Sequence, residues 1–395
     1  MTPSAESVSH GLRAAPLSVL TLGAGWFREA PGGLERMYAN LVHHLPGAGV
    51  HPRGLVVGSS AVEADTQGQV RAFAPPTASV WSRWRGARHA VQHGLWQAST
   101  DLVAAHFALY TFPVLDLVRQ HPLVVHFHGP WAWEGQAEAQ RARLQVQAKA
   151  RLEAAVYRRA DRLIVLSEAF RAVLCERYGV DSERVVRIAG GVQADRFDTG
   201  LTRVEAQQHL GWPTDRPIVL AVRRLVRRMG LELMIEAVRL LRDRVPDVLV
   251  LIAGKGPLRE DLDRQIQDEG LGDHVRLLGF VPDEDLPVAY RAAQLTVVPT
   301  VALEGFGLIT LESLASGTPV LVTPVGGLPE AVRPLSEGLV LASATAAAVA
   351  DGIAGVLCGQ RPVPTDEACQ AHVRQHHDWP VIAERTAALY REVAR

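Results

Sequence analysis

The sequence predicts an α/β protein with two consecutive domains, each built on a parallel sheet, that face each other across a cleft. Short runs of branched aliphatic residues alternate with longer amphipathic runs along most of the 395 residues, as expected for parallel strands connected by helices. The alternation is interrupted once, around Gly200, Gly211 and Pro213, and then begins again. A chain of this length can bury two separate cores. Ligands of such sheets bind at the carboxyl ends of the strands, so the residues that follow each strand are candidates for a site.

The individual elements follow from the same pattern. In the first half we predict strands at Leu17–Leu22, Gly54–Val57, Leu102–His106, Leu123–Phe127, Arg162–Leu166 and Val185–Ile188, and helices at Leu34–His44, Arg85–Ala98, Tyr110–Arg119, Gln136–Arg159 and Glu168–Tyr178. In the second half we predict strands at Ile218–Val222, Val248–Ala253, Val275–Leu278, Leu295–Val298, Val320–Val322 and Leu339–Leu341. The helices of this half begin near Leu231, Pro257, Asp285, Gly305, Pro329 and Thr345, and a last helix spans Pro380–Val393.

These elements set the predicted domain boundaries. We expect a flexible tail at 1–16, a first domain at 17–198, a linker at 199–216, a second domain at 217–376 and a terminal segment at 377–395. The tail has neither the charged start nor the apolar centre of a signal peptide.

Composition excludes several classes of protein. The formal net charge is −1, whereas a general nucleic-acid binder carries a broad basic surface. Three scattered cysteines are too few for a disulfide framework or a zinc site. No apolar run is long enough to span a membrane. We therefore expect a cytoplasmic protein that does not bind nucleic acid.

The most informative stretch is Val297–Val320, which contains two carboxylates around a glycine-rich helix start. If Glu304–Ala315 is helical, Glu304 and Glu312 lie roughly 12 Å apart along the axis and about 80° around it. The positive end of a helix suits an anion such as a diphosphate, and carboxylates accept hydrogen bonds from sugar and ribose hydroxyls. The pattern favours a sugar nucleotide; the alternative is a plain connection with solvated glutamates. The backbone N–H groups at the helix start belong to Phe306, Gly307 and Leu308.

The same stretch, E-G-F-G-x-x-x-x-E-x-x-A-x-G-x-P-V, resembles the donor-site signature of retaining glycosyltransferase family 4. Members of that family have the GT-B fold, in which two Rossmann-like domains face an interdomain cleft and a terminal helix crosses back onto the first, acceptor-side domain. The resemblance implies transfer of a hexosyl unit from a UDP- or GDP-linked sugar, with retention, to a glycan, lipid-linked or small-molecule hydroxyl. It also implies that Glu304 holds the sugar and Glu312 the ribose, with Gly305, Phe306, Gly307 and Leu308 around the donor. No metal or other cofactor is expected.

Two first-domain motifs support the resemblance. The loop Gly32–Arg36 resembles the G-G-x-E-R loop that closes over the donor diphosphate, which makes Gly33 a candidate contact, although a tight turn explains the glycines equally well. His126 and His128 share one face of a strand, because alternate strand residues point the same way. A metal pair is one interpretation, but the family position is His128, which bonds a sugar hydroxyl in relatives, and His126 is assigned to the core.

Acceptor contacts are less specific. Trp131 and Trp133 are candidates to stack on an acceptor sugar, the alternative being that they cover the cleft floor, and Arg36 is a further acceptor candidate. Residues 81–88 and 141–162 are rich in arginine and poor in acids. Such basic faces can rest on anionic lipid, and many members of the family use lipid-linked acceptors; a solvated helix face is the other interpretation.

The second-domain loop AVRRLVRRMG matches the family's G-R-L-x-x-x-K-G phosphate clamp only in part. Arg224 fits the motif, but Arg223 occupies the usual glycine position and Met229 the usual lysine position. We predict that Arg224 and Arg228 together neutralise the diphosphate, because arginine forms bidentate phosphate contacts.

Two further turns match the family. Gly254 belongs to an A-G-x-G-P turn and Val281 to the loop whose backbone pairs with the nucleobase. The acidic run Asp283–Asp285 precedes a helix, so helix capping is preferred over metal binding.

Two other functions remain open. The altered clamp is compatible with a nucleotide-sugar-binding partner subunit that has no turnover, and a nucleotide-sugar epimerase shares the fold. The resemblance favours the transferase, in which the leaving phosphate accepts the acceptor's proton and no side chain acts as base.

Overall fold

The computed structural model describes residues 16–97, 99–133 and 143–395. They form a seven-stranded sheet of order β3-β2-β1-β4-β5-β6-β7 and a five-stranded sheet of order β10-β9-β8-β11-β12. The first sheet contains β1 Leu17–Gly25, β2 Val50–Val57, β3 Val70–Ala74, β4 Leu102–Ala105, β5 Leu123–Phe127, β6 Arg162–Val165 and β7 Val185–Arg187. The second contains β8 Ile218–Val222, β9 Leu249–Ala253, β10 Val275–Gly279, β11 Leu295–Val298 and β12 Val320–Val322. Every strand pair is parallel, which confirms the predicted fold class.

Helices connect the strands. Those of the first half are Gly33–His44, Ala61–Asp65, Val80–Gln97, Ala108–Thr111, Arg143–Arg159 and Glu168–Tyr178. Two short helices, Ala194–Phe197 and Arg203–His209, lie between the sheets in sequence. The second half contains Leu231–Leu241, Arg259–Asp268, Leu286–Ala292, Leu308–Ala315, Leu328–Val332, Ala346–Leu357 and Asp366–His376, and the chain ends with Trp379–Val393.

Strand β8 shows why the second half forms this sheet. Val219 belongs to a core cluster that includes residues of the helix Leu231–Leu241. The neighbouring Leu220 belongs to a second cluster, with Leu311 of the helix Leu308–Ala315. Since alternate strand residues point to opposite faces, the strand is covered on both sides and is apolar throughout, as parallel sheets require.

Several elements were predicted wrongly or were not predicted. Helices that were not predicted include Ala61–Asp65, Ala194–Phe197 and Asp366–His376. Strand β3 was not predicted, because it lies at the sheet edge and carries the exposed Arg71. The predicted strand Leu339–Leu341 is a 3₁₀ turn followed by a single bridge between Val322 and Val340. The predicted helix Tyr110–Arg119 ends early: a short helix, Ala108–Thr111, continues only as the 3₁₀ turn Phe112–Val114, within which lies Pro113.

The remaining helix predictions differ mainly in their ends. The helix Arg143–Arg159 matches the later part of the prediction that began at residue 136, and residues 136–142 lie outside the described residues. The interrupted segment 199–216 contains the helix Arg203–His209, whose start is fixed by a capping box between Thr202 and Glu205.

The helix Trp379–Val393 packs on the first sheet. Trp379 and Tyr390 are buried in one cluster with Val19 of β1 and Met37 of the helix Gly33–His44. The helix begins at Asp378, whose side chain accepts from the Trp379 N–H at 3.0 Å and the Ala194 N–H at 3.1 Å. The end of the chain is thereby held against the first half of the molecule.

Candidate functional site

The carboxyl ends of the two sheets face each other. The hydroxyl of Ser167, after β6, donates to the Gly305 carbonyl, after β11, at 2.6 Å. Next to it, the carboxylate of Glu330 accepts from the backbone N–H groups of Glu168 and Ala169 at 2.8 and 3.1 Å. The loops after the strands of both sheets therefore border one cleft, which is where parallel sheets bind ligands.

Glu304 lies in the loop after β11 and not in a helix, because the helix begins at Leu308. The prediction of a helix over Glu304–Ala315 was therefore wrong at its start. Gly307 precedes the helix with φ of 76°, a left-handed conformation that favours glycine. The Glu304 carbonyl accepts from the Gly327 N–H at 3.0 Å, which fixes the loop backbone.

The glycines of this loop make room for protein side chains. A Cβ at Gly305 would lie 2.4 Å from the ring of Phe170, a first-half residue, and one at Gly307 would lie 2.5 Å from Leu328. Phe306 is buried, with its ring centroid 5.8 Å from that of His377. Gly305 is therefore needed for close packing between the two halves, and Gly307 for close packing within the second half.

The Glu304 side chain is paired with Arg223, which follows β8. Strands β8 and β11 are neighbours, so residues after them meet at the sheet edge. Arg223 Nη2 donates to Glu304 Oε2 and to the Thr300 hydroxyl. The side chains of Arg223 and Glu304 are only 7% and 14% exposed. This buried ion pair was not anticipated from the sequence.

Glu312 lies on the buried face of the helix Leu308–Ala315 and accepts from the Tyr290 hydroxyl at 3.0 Å. Burial raises the pKa of Glu312, and the nearby positive charge of Arg36 opposes that rise. A cavity between the two halves is lined by Arg36, Asn40, Gly191, Arg196, Glu312 and Trp379, among others.

Arg36, a predicted acceptor contact, reaches across the cleft. Its guanidinium donates to Asp283 Oδ1 at 2.6 Å, and Arg196 lies 2.7 Å from Asp283 Oδ2. Burial lowers the pKa of Arg36, but the carboxylates of Glu312 and Asp283 raise it more. The predicted capping role applies only to Asp285, which is the N-cap residue but makes no side-chain cap hydrogen bond.

Three histidines stack at the ends of β4 and β5. The rings of His106 and His126 are 4.0 Å apart between centroids, and those of His106 and His128 are 5.3 Å apart. His106 Nδ1 and His128 Nε2 share a hydrogen bond of 3.1 Å, while His126 Nε2 bonds the Tyr390 hydroxyl at 2.7 Å. Burial lowers the pKa of His128 to about 4 and the pKa values of His106 and His126 well below their ordinary value. All three imidazoles are therefore neutral at pH 7.

His106 was missed in the sequence analysis. It directly follows β4, the neighbour of β5, so it stands at the same sheet edge as His128. It was predicted as the last residue of the strand Leu102–His106, and a histidine at the carboxyl end of a strand is the signal that identifies it.

The depressed histidine pKa values predict loss of stability in acid. As pH falls below 6.5, these imidazoles bind protons in the unfolded chain before they do so in the native protein, so stability falls as pH falls, by up to about 1.4 kcal/mol per pH unit for each group. We expect the His106→Asn protein to show a correspondingly shallower decline in its free energy of unfolding over this range. The buried carboxyls Glu153 and Glu312, whose pKa values are raised by burial, act in the opposite direction and are common to both proteins.

Urea unfolding at successive pH values measures the effect. The control is His51→Asn, which replaces an exposed histidine of β2 and should leave the slope unchanged. Equal slopes for wild type and His106→Asn would contradict the prediction.

The predicted phosphate-binding residues occupy different environments. Gly33 is the first residue of the helix Gly33–His44, and a Cβ there would meet no atom within 4 Å. Arg224 is exposed. Arg228 is half-buried and donates to the Leu303 carbonyl at 2.8 Å. Met229 is buried in the core beneath the loop.

The two nucleotide-side turns also lie at the carboxyl edge. Gly254 has φ of 145°, and a Cβ there would lie 1.8 Å from the Arg223 carbonyl oxygen, so only glycine fits. Val281 is partly buried against the second-sheet core. Beside it, Phe280 is 60% exposed and has the Lys255 ammonium 4.7 Å above its ring.

The two acceptor-candidate tryptophans differ. The Trp131 ring lies 5.4 Å from Phe107 and has the Lys149 ammonium 4.0 Å above it. Trp133 packs against Tyr178, at 5.4 Å between centroids, and joins the first-domain core. Trp131 is thus the one nearer to the candidate cleft residues, through Phe107, which directly follows His106.

Residues 16–97, 99–133 and 143–395 contain neither a metal-binding cluster nor a membrane-spanning helix. No group of three histidine, cysteine, aspartate or glutamate side chains there is arranged to hold a metal ion. No helix in these ranges is both long and apolar enough to cross a membrane.

The structure has two parallel-sheet domains, and charged loops from both domains border one cleft. This arrangement is that of a GT-B-type protein. The family model for Glycosyltransferase Family 4 matches residues 31–196, and the model for Glycosyl transferases group 1 matches residues 202–376. A D-inositol 3-phosphate glycosyltransferase from Corynebacterium urealyticum is 31% identical over 317 residues, covering 76% of this chain and 73% of that protein. The chain belongs to this glycosyltransferase family, as the resemblance predicted.

Other relatives are covered less completely. An uncharacterized glycosyltransferase of Methanocaldococcus jannaschii is 30% identical over 235 residues, which are 58% of this chain and 60% of that protein. A GDP-mannose-dependent alpha-(1-6)-phosphatidylinositol monomannoside mannosyltransferase of Mycolicibacterium smegmatis is 32% identical over 51% of this chain and 54% of its own. The chain therefore spans little more than half the length of these two relatives.

Solved structures agree on the fold. Sucrose-phosphate synthase from Thermosynechococcus elongatus superposes with a TM-score of 0.78 at 24% identity, covering 95% of this chain and 99% of that chain. Anabaena HepE in complex with UDP gives 0.75 at 20% identity, with 95% and 100% covered. The predicted GT-B fold is confirmed.

Proposed function

We propose that this chain is a retaining hexosyltransferase that moves a sugar from a UDP- or GDP-linked donor to a hydroxyl acceptor. The observation that carries the proposal is the shared cleft: Glu304, Glu312 and the arginine loop of the second domain face the His128 edge of the first. His128 follows β5, whose neighbour β6 leads to Ser167, and Ser167 bonds Gly305 beside Glu304. A donor bound along the second-domain edge thus places its sugar toward the histidines.

In this proposal each group has a distinct task. Glu304 accepts hydrogen bonds from the sugar hydroxyls and Glu312 from the ribose. Arg224, Arg228, the Gly33 loop and the backbone N–H groups at the start of the helix Leu308–Ala315 stabilise the departing diphosphate. Neutral His128 bonds a sugar hydroxyl from the opposite side. The leaving phosphate accepts the acceptor's proton, so no side chain acts as base, and no metal or other cofactor takes part.

The relatives support a sugar-nucleotide donor. One relative is a D-inositol 3-phosphate glycosyltransferase and another a GDP-mannose-dependent phosphatidylinositol monomannoside mannosyltransferase, and the structure of HepE contains UDP. We propose the same classes of substrate for this chain: a nucleoside diphosphate hexose as donor, and a small polyol or a lipid-linked glycan as acceptor. We also propose that the protein works in the cytoplasm.

A panel of UDP, GDP, ADP and their sugars in a thermal-shift assay tests the donor. A ligand that binds only the native protein raises its melting temperature. The proposal requires at least one of these compounds to do so, and it requires slow hydrolysis of the matching sugar nucleotide. Binding without any turnover, in wild type and with acceptors present, would instead identify the nucleotide-sugar-binding subunit that the altered clamp allows.

The clamp has its own prediction. Each of Arg224→Ala and Arg228→Ala is expected to weaken nucleoside diphosphate binding by about 10- to 100-fold, since a charge-assisted hydrogen bond contributes about 1.5–3 kcal/mol. Isothermal titration with the best ligand of the panel measures this. The control is Arg227→Ala, an exposed arginine of the same loop that pairs with Glu232 at 3.3 Å. Unchanged affinity for Arg228→Ala, with affinity lost in Arg224→Ala, would show that Arg228 is not part of the clamp.

We further propose that the helix Val80–Gln97 contacts anionic lipid. Val80 and Trp81 expose 45% and 76% of their surface. Phe112, whose ring lies 5.8 Å from that of Trp84 in this helix, exposes 37%. The helix contains three arginines and no acidic residue, although Arg88 pairs with Asp116 at 2.6 Å. Exposed tryptophan beside cationic residues is typical of protein surfaces at a membrane interface.

Sedimentation with phosphatidylglycerol vesicles tests the contact. Trp81→Ser is expected to reduce the bound fraction several-fold, because an interfacial tryptophan contributes to membrane anchoring. The matched control, Val204→Ser, removes an apolar side chain that is 49% exposed at another surface. Equal binding to phosphatidylcholine vesicles, or no loss in Trp81→Ser, would argue against the proposal.

A further inference from the structure

Arg223 is a buried cation at the cleft edge to which the proposed mechanism gives no task. Only 8% of the residue is exposed, and buried charges occur where they are paired or functional. Its backbone is fixed, because its N–H donates to the Ala253 carbonyl at 2.8 Å and its own carbonyl packs against Gly254. The guanidinium is therefore held at one place between the loops after β8 and β11.

The contacts of this guanidinium are unequally distributed. Nη2 donates hydrogen bonds to both the Thr300 hydroxyl and the Glu304 carboxylate. Among the described residues no group accepts a hydrogen bond from Nε, which is buried. An arginine can donate five hydrogen bonds in a fixed planar fork. The side chain is thus anchored through Nη2, while its buried Nε lacks an acceptor among the described residues.

The rest of the loop explains why a cation is needed here. Met229, at the end of the 3₁₀ turn Arg227–Met229, is buried in the core and carries no charge. Arg228 is directed to the Leu303 carbonyl, so part of its hydrogen-bonding capacity is used by the protein. Arg223 is the chain neighbour of the exposed Arg224, which is assigned to the diphosphate, and it forms an ion pair with Glu304, which is assigned to the sugar.

We propose that Arg223 binds the donor's diphosphate at the phosphate that carries the sugar, with Glu304 and Thr300 as its anchors. The inference rests on the proposed function. Arg223 is then the third arginine of the clamp, beside Arg224 and Arg228. Its positive charge replaces the charge of the usual lysine, which is Met229 in this chain. A phosphate oxygen supplies the acceptor that the anchored fork lacks, and Arg223 then stabilises the negative charge of the leaving group. Glu304, held in place by the same pair, keeps its other oxygen for the sugar.

The test is titration of Arg223→Gln and Arg223→Lys with UDP, GDP and ADP and with the corresponding monophosphates. Arg223→Gln retains a neutral donor for Thr300 and Glu304 but loses the charge. We expect it to bind the preferred diphosphate about 10- to 100-fold more weakly, from the loss of a charge-assisted hydrogen bond. We expect its affinity for the monophosphate to change by less than about 3-fold, because the phosphate beside the sugar is absent from that ligand. Arg223→Lys should lie between Arg223→Gln and wild type.

The outcomes separate the two hypotheses. If the wild type binds none of these diphosphates, the proposed function fails. If the wild type binds a diphosphate and Arg223→Gln binds it equally, the inference fails and the proposed function stands. An equal loss for diphosphate and monophosphate also overturns the inference, since it indicates a general distortion of the site. Arg227→Gln, in the same loop but with a side chain that is 75% exposed, is the matched control for the removal of a positive charge.

Discussion

Replacement of Glu304 by alanine is expected to destabilise the protein by about 3–5 kcal/mol and to abolish transfer. The free energy cost arises because the substitution leaves the buried guanidinium of Arg223 without its carboxylate, and breaking a buried ion pair from one side has a cost of this size. The side chains of the pair are 7% and 14% exposed, so solvent screens the interaction little. Urea unfolding measures the stability change, and release of nucleoside diphosphate measures the transfer.

A double substitution distinguishes stability from function. In Arg223→Met/Glu304→Leu both charges are replaced by apolar side chains, a change that is often neutral for stability. We expect this protein to recover most of the free energy of unfolding lost in Glu304→Ala. It should remain inactive, because the carboxylate that accepts hydrogen bonds from the donor's sugar is absent. Full stability in Glu304→Ala would show that the pair is not buried in solution. Activity in the double variant would remove Glu304 from the proposed site.

The fold was predictable wherever burial on both faces dictates the sequence. Strands β5, β8, β11 and β12 were predicted with their observed ends, because strands covered by helices on both sides require uninterrupted apolar runs. Strand β3 escaped prediction for the complementary reason. It lies at the edge of the first sheet, and only its two end residues, Val70 and Ala74, are buried, so its sequence is not an uninterrupted apolar run.

The site was predictable only where it follows a local motif. The sequence placed Glu304 and Glu312 in one stretch, but it did not fix the start of the helix, since a glycine-rich segment suits both a loop and a helix start. Phe170 and Leu328, distant in sequence, set the space around Gly305 and Gly307. The sequence of the loop itself does not indicate that these two residues pack against it.

Long-range charge pairs were the second kind of omission. Arg223 was noted only as a departure from the clamp motif, and Asp283 only as part of a possible cap. The structure pairs them with Glu304 and with Arg36, which are 81 and 247 residues away. Such pairs are specified by how loops from different strands meet, and a single sequence gives no periodicity that would indicate them.

His128→Ala is expected to lower kcat by about 100- to 1,000-fold, the range observed when one preorganised hydrogen-bonding group is removed from a transition state. Its fold should persist, because the side chain is only partly buried and its hydrogen bond is the 3.1 Å contact with His106. Nucleoside diphosphate affinity should change little, since the histidine faces the sugar and not the clamp. Steady-state kinetics and titration with the diphosphate measure the two effects separately.

The matched control for His128 lies near the other end of the same strand. His121 precedes β5 at the opposite sheet edge and bonds the Thr100 carbonyl at 3.1 Å, so His121→Ala also removes one histidine and one hydrogen bond. We expect it to retain wild-type kcat. Since burial holds the pKa of His128 at about 4, its neutral form persists throughout pH 6–8, and this group should impose no acid limb on the rate in that range. The kcat of His128→Ala could instead fall within about 3-fold of that of His121→Ala. That result would show that His128 does not stabilise the transition state, and the proposed placement of the sugar would be wrong.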